Sequence, residues 1–313
     1  MNISVLHLYK DYRNDAGFPL LLERLGSYVR NLIAETAAEM PAEMPTGETI
    51  SLTHAHSWYQ DGPDALRLRQ EHGIPYVLTL TSEDLRHLEA FSLKSKRYDV
   101  LENAEKVVFP NQHFQYALAD KLSDKLANAV FSRSLVIYDG ISPFWFQNLR
   151  RSKPVSLIHI RLLTALNMGR DTTLEMVEKA AKLLRKQNLS VDVTTFEPNA
   201  LGEAERMEMY RRHDMLVQPT PVNGSTTLYA EALSQGLPVL YARQGCFDGI
   251  FPDGTAGFSV MPHNAHDLAE KILLISERYA TVEQHIADLH PLHPFNWDEI
   301  YRQYLRVYDV RKS

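Results

Sequence analysis

The chain has 313 residues, 44% hydrophobic and 23% charged, with a formal net charge of −6 and a single cysteine, Cys246. That length exceeds a usual domain of about 100–200 residues and implies two domains, each with apolar content enough for a sizeable core. The negative balance, with no stretch that gathers Lys and Arg as phosphate-backbone binding requires, argues against a general nucleic-acid binder, and one cysteine excludes a disulfide framework or a cysteine-based zinc site.

Met1–Leu8 lacks the basic start and apolar length of a secretory leader and reads as a first strand, Ile3–Leu8. No apolar run approaches the roughly 18–20 residues of a membrane span, so the expected location is the cytoplasm. After a loop through Gly17, a helix is expected over Leu20–Ile33, with Leu21, Leu22, Leu25, Val29 and Ile33 on one side. The segment Glu35–Thr49, with its tandem Ala-Glu-Met-Pro, reads as a polar, proline-broken surface excursion. Strands follow at Ile50–Ala55, Pro75–Leu80, Lys106–Phe109 and Leu135–Tyr138, with a helix at Asp64–His72. Such alternation builds a parallel sheet with helices on both faces.

Arg150-Arg151-Ser152-Lys153-Pro154 has the composition of a linker and divides the chain into domains at 1–150 and 151–296. Beyond it a strand at Val155–Ile160, a helix at Thr173–Gln187, a strand at Val191–Phe196 and a helix at Glu203–His213 begin a second sheet. Strands around Val217 and Val239 and a helix at Ala265–Tyr279 complete it. The fold class is α/β with two Rossmann-like domains, and their strand ends are expected to border one cleft.

The most telling stretch runs from Met215 to Leu240. Met215-Leu216-Val217 is a buried-strand run stopped by Pro219 and Pro221, and Asn223-Gly224-Ser225-Thr226 precedes a helical run, Leu228–Ser234, that ends at Gly236. A helix entered this way turns unpaired amides and the positive end of its dipole outward, which suits a diphosphate. Glu231 lies too far along that helix to serve the same phosphates and is expected to accept hydrogen bonds from sugar hydroxyls.

These residues resemble the nucleotide-sugar glycosyltransferases with two Rossmann-like domains (the GT-B fold), specifically the retaining family 4, or group 1. The family's Glu, seven residues, Glu, followed by Ala, a small residue, Gly, any residue and Pro-Val is matched closely in its second half by Glu231-Ala232-Leu233-Ser234-Gln235-Gly236-Leu237-Pro238-Val239, with Asn223 in place of the first Glu. Tyr138-Asp139-Gly140-Ile141, Asp253-Gly254-Thr255-Ala256-Gly257-Phe258 and Phe295-Asn296-Trp297-Asp298-Glu299 fall in the family's order. Where the family has Thr-x-His-Asp, this chain has Thr79-Leu80-Thr81, so Thr81 replaces the His that would face the donor sugar.

The resemblance implies transfer of a sugar from a UDP- or GDP-linked donor with retention of configuration and without a metal or other cofactor. Arg161, taken as a strand-end residue, and Arg170 are the expected cations for the leaving diphosphate. Gly224, Ser225 and the amides of Thr226 and Thr227 would hold the phosphates, Glu231 the ribose, Asn223 the donor sugar, and Gly17 would allow close backbone approach. The expected acceptor side is the N-terminal domain, to which a terminal helix over 297–313 returns. The Asn223 departure keeps a second reading open, a catalytically degenerate relative that serves as the partner of an intact glycosyltransferase or binds sugar.

Other groups have plainer readings. His54 and His56 share one face of a strand and have the spacing of two metal ligands, but with no third ligand legible they read as cleft-lining or core histidines. Phe144-Trp145-Phe146 reads as a packed interdomain hinge, against an acceptor platform or a membrane-surface contact, and the group Lys94, Lys96 and Arg97 as a solvated face, against an approach to anionic lipid at the inner face of a membrane.

Overall fold

The structure, a computed structural model, describes residues 3–10, 17–34, 50–81, 83–84, 95–149, 159–166, 172–220, 226–289 and 294–309. The excursion at 35–49, the linker at 150–154, Arg170, Asn223, Gly224, Ser225 and the side chains of Lys94, Lys96 and Arg97 lie outside what it describes. The chain forms two compact units, Met1–Gly140 with Pro294–Ser313, and Ile141–His293.

Unit 1 is a six-stranded sheet of order β2-β1-β3-β4-β5-β6, every pairing parallel. Its strands are β1 (Ile3–Leu8), β2 (Val29–Ala34), β3 (Leu52–Ala55), β4 (Tyr76–Thr79), β5 (Lys106–Phe109) and β6 (Ser134–Val136). The helices are α1 (Gly17–Leu25), α2 (Gly62–His72), α3 (Ser95–Asn103), α4 (Gln112–Ala119), α5 (Asp124–Phe131) and, from the chain's end, α12 (Trp297–Tyr308). Strand alternation sorts the side chains. Leu6, Leu8, Ala55 and Leu78 join the core under α2, α3 and α4, whereas Val5, Leu52, Val77 and Val108 pack with α1 and α12. The helix expected to run to Ile33 stops at Leu25. Gly26 breaks it, and the Val29–Ala34 run pairs with β1 from Ile3↔Val29 to Leu8↔Ala34. Val29 and Ile33 are β-branched and favour extended backbone, and pairing with β1 gives the segment a ladder of backbone bonds along one side.

Unit 2 has a five-stranded parallel sheet of order β11-β10-β9-β7-β8. Its elements are α6 (Pro143–Gln147), β7 (His159–Ala165), α7 (Thr172–Arg185), β8 (Ser190–Phe196), α8 (Glu203–Arg212), β9 (Met215–Gln218), α9 (Thr227–Ser234), β10 (Val239–Ala242), β11 (Gly257–Val260), α10 (Ala265–Glu277) and α11 (Tyr279–Leu289). The boundary falls after Gly140, ahead of the expected linker, because α6 is anchored in this unit. Trp145 is fully buried, its Nε1 donates to Glu203 Oε1 at 3.0 Å, and Ser142 Oγ donates to the same oxygen at 2.5 Å. The Phe144-Trp145-Phe146 set therefore supplies a core anchor, with the Arg206 guanidinium 5.7 Å over the Trp145 ring.

Two motif glycines have steric reasons. Gly257 adopts φ +148°, and a Cβ there would lie 1.8 Å from Val239 O. At Gly140 a Cβ would run into the Trp297 ring, 2.5 Å away.

Candidate functional site

In unit 2 the carboxyl edge of the sheet is tied together by buried polar side chains. Thr164 Oγ1 donates to Gln218 Oε1 at 3.1 Å, and Gln218 Nε2 donates to Ala165 O at 3.1 Å, joining the ends of β7 and β9. Just past β9, the Thr220 hydroxyl meets that of Thr173 in the first turn of α7. The amino end of α9 opens on the same edge, entered through Thr226. Thr226 is 1% exposed, its side chain does not cap the helix, and its Oγ1 has no hydrogen-bond partner among the described residues. An unsatisfied buried hydroxyl beside a helix amino terminus is an arrangement that a bound anion completes.

Glu231, in the second turn of α9, has much of its hydrogen-bonding capacity in use. Arg206 donates bidentately, Nε to Oε2 at 2.9 Å and Nη2 to Oε1 at 2.7 Å, and Tyr210 OH adds a bond to Oε2 at 3.1 Å. These donors occupy three of about four acceptor positions on a carboxylate. Burial pushes the Glu231 carboxyl up, and the Arg206 pair opposes it.

Arg161 is a correction. It is the third residue of β7, and its Nε and Nη2 bind Asp214 at 3.1 and 3.0 Å while its backbone N–H bonds the same carboxylate at 2.8 Å. Asp214 immediately precedes β9, so the pair sits at the amino edge of the sheet. At about 3.3 Å per residue, Arg161 is roughly 13 Å along β7 from its carboxyl end at Ala165. The expected strand was placed too early in the sequence, which made Arg161 look like its last residue.

Unit 1 holds a second site. A cavity of about 300 Å³ opens beyond the strand ends, lined among others by Tyr9, Phe18, His56, Tyr138, Trp297 and Tyr304. Beneath it lie three buried histidines. Parallel pairing sets His7 directly beside His54, and the two-residue strand period puts His56 on the same face. His7 Nδ1 lies 3.0 Å from His56 Nε2, and His7 Nε2 lies 2.9 Å from Asn31 Oδ1. His54 bonds Tyr308 OH through Nδ1 and Thr79 Oγ1 through Nε2, both at 2.7 Å. Burial lowers His7 to about 4 against the Asn31 hydrogen bond, and lowers His54 and His56 well below the ordinary imidazole value, with the neighbouring imidazoles adding to it. All three are neutral at physiological pH. The sequence made His54 and His56 legible but not His7, Asn31 or Tyr308, whose only signal was a polar residue inside an otherwise apolar strand or helix face.

Alongside, Asp84 accepts from Ser57 Oγ and the backbone N–H groups of Trp58, Tyr59 and Thr81, so it pins the segments after β3 and β4 together. Thr81, where a sugar-facing His was expected, bonds Asp84 Oδ2 through Oγ1 at 3.0 Å and also lines the cavity.

The two parallel, helix-covered sheets define the class: the fold is GT-B, that of the nucleotide-sugar glycosyltransferases. The chain is similar to HepE of Anabaena in complex with UDP (15% identity, 99% of this chain and 100% of that one, TM-score 0.59). It is similar also to the sucrose-phosphate synthase of Thermosynechococcus elongatus (16% identity, 99% and 98% covered, TM-score 0.67). HepE has been crystallised with UDP-glucose as well. Residues 172–286, all within unit 2, match the family model described as glycosyl transferases group 1. An uncharacterised glycosyltransferase of Methanocaldococcus jannaschii is 24% identical over 238 residues, 72% of this chain and 65% of the relative, so the match spans less than two thirds of that protein. Among the described residues no helix is long and apolar enough to cross a membrane.

Proposed function

We propose that the protein is a retaining glycosyltransferase that moves a sugar from a UDP- or GDP-linked donor to a hydroxyl acceptor, with no metal or other cofactor. The observation that carries this reading is the amino end of α9 on the carboxyl edge of the unit 2 sheet, with the unpartnered, buried Thr226 hydroxyl beside it. Such an end stabilises the charge that grows on a departing diphosphate. Gly224, Ser225, Thr226 and Thr227 hold the phosphates, and the remaining acceptor position of Glu231 takes a ribose hydroxyl. Asn223 contacts the donor sugar, Arg170 supplies the cation, and Gly17 lets backbone approach the ligand. The leaving phosphate oxygen accepts the acceptor's proton, so no side-chain base is required in this scheme. UDP in HepE favours the uridine donor.

Calorimetric titration of UDP and GDP in the presence of EDTA tests binding, and NMR of the product anomer from a nucleotide-sugar panel tests retention. Expected are metal-independent binding of at least one nucleotide and an unchanged anomeric configuration. Asn223 in place of the family's Glu favours a second reading, a non-catalytic partner of an intact glycosyltransferase; there UDP binds, no donor turns over and Asn223→Glu creates no activity. Failure of both nucleotides to bind overturns both readings.

A further inference from the structure

The hydrogen bonds around His7 fix where its proton sits. Asn31 Nδ2 donates to Leu22 O at 3.1 Å, which orients the amide so that Oδ1 faces His7 Nε2. An amide oxygen only accepts, so His7 carries its proton on Nε2. Being neutral, it then has a bare lone pair on Nδ1. His56 Nε2, 3.0 Å away, must therefore be the donor. That assigns the proton of His56 to Nε2 and leaves its Nδ1 an acceptor, which has no hydrogen-bond partner among the described residues.

His56 is on the cavity wall. Trp297 is on the same wall, but its Nε1, which has no hydrogen-bond partner among the described residues, is itself buried. An unpartnered acceptor on a cavity wall is complementary to a hydroxyl group, which can donate to it. The other walls narrow the ligand further. Tyr9, Phe18 and Tyr138 are aromatic, Glu83 and Asp139 are carboxylates, and no lysine or arginine is among the described lining residues. A phosphorylated or otherwise anionic ligand finds no counter-charge among them.

We propose that His56 Nδ1 accepts a hydrogen bond from a hydroxyl of a neutral, sugar-like ligand seated in the unit 1 cavity, and that His7 and Asn31 are positioning residues that fix the tautomer this requires. The inference deepens the transferase reading, and rests on it only in identifying this ligand as the glycosyl acceptor. The same rings offer three nitrogens within 4.8 Å of one another, as a metal site would. Against a metal, both nitrogens of His7 and of His54 already have side-chain partners, and the His54 and His56 ring centroids lie only 3.8 Å apart, the planes tilted by 32°. Imidazoles around one ion splay about a common point instead.

The test is two-bond proton–nitrogen correlation NMR of the full chain with labelled histidine at neutral pH. Expected are Nε2 protonation and a bare Nδ1 at both His7 and His56. The methyl glycosides of glucose, galactose and mannose serve as probes. At least one is expected to move the His56 Nδ1 resonance toward its hydrogen-bonded position, and glucose 6-phosphate is expected to leave it in place. His56→Asn keeps an acceptor near the Nδ1 position and retains sugar binding, whereas His56→Leu weakens it by roughly fivefold to tenfold, the loss of one neutral hydrogen bond. Asn31→Leu, of similar size, is expected to mix the His7 and His56 tautomers and weaken binding in proportion, a signature that loss of packing alone does not produce. A proton on His56 Nδ1, no response to any neutral glycoside, or zinc retained on the three rings through dialysis against EDTA overturns the proposal. UDP affinity is measured in each variant and is expected to be unchanged. If UDP fails to bind the parent chain, the transferase reading falls while the ring-nitrogen result stands.

Discussion

The two sheets end in opposite chemistries. At the carboxyl edge of unit 1, three neutral imidazoles, an amide and hydroxyls bond one another beneath an aromatic cavity. At that of unit 2, the outward amides of α9 and an unsatisfied threonine face the strand ends, and a buried guanidinium–carboxylate pair braces the helix from behind. One edge is made to hold groups without net charge, the other to receive negative charge. The same parallel scaffold serves both because strand ends fix only where side chains emerge, while the residues following each strand decide what they present.

The largest effect is expected where the charged edge is broken. Arg206→Met strands Glu231, whose side chain is only 10% exposed, without its bidentate partner. A loss of about 3–5 kcal/mol in urea unfolding is expected, with most of it regained by Arg206→Met combined with Glu231→Leu. A loss under about 1 kcal/mol in the single variant removes the brace.

The neutral edge breaks with acid. His7 is lowered from 6.5 to about 4, so the unfolded chain binds the proton first as pH falls. Its contribution is complete above the unfolded value and is lost on descending toward the folded one, about 3 kcal/mol in all at about 1.4 kcal/mol per unit. His54 and His56 act in the same direction. Thermal unfolding of the parent and His7→Gln at neutral pH and near pH 5 reads this out, and equal acid sensitivity in the two removes His7 as a cause.

Asp61 gives a smaller change of opposite sign. Burial raises it from 3.8 to about 7, and its Oδ2 has no partner among the described residues. Here the folded state holds the proton more tightly, so stability is greatest at low pH and declines as pH rises through the folded value. Asp61→Asn keeps the acceptor for the Lys10 N–H, 3.3 Å away. It should raise stability by about 1–3 kcal/mol in mildly alkaline buffer and lose that advantage at acid pH.

The smallest effect sharpens the phosphate assignment. Thr226→Val removes a hydroxyl that has no partner among the described residues, so stability without ligand should stay within about 1 kcal/mol of the parent or rise slightly, while UDP binding weakens by about tenfold. Unaltered UDP affinity would separate Thr226 from the diphosphate.

The sequence by itself determined the alternation of strands and helices, the α/β class and the helix α9. Apolar runs such as Met215-Leu216-Val217, glycines such as Gly236 and prolines such as Pro219 act locally, through backbone freedom and burial that need no distant partner. It also set His54 and His56 on one face, since a strand's period is a local property. Tertiary structure alone decided the rest. Val29–Ala34 became a strand because β1 was there to pair with it. Arg161 moved to the amino edge because β7 extends to Ala165 beside β9. His7, Asn31 and Tyr308 joined the histidines from distant points of the chain, because parallel register and the packing of α12 set the neighbours. Periodicity tells a residue which way to face, but which side chain it meets there depends on strand order, and strand order is settled only when the whole sheet is buried.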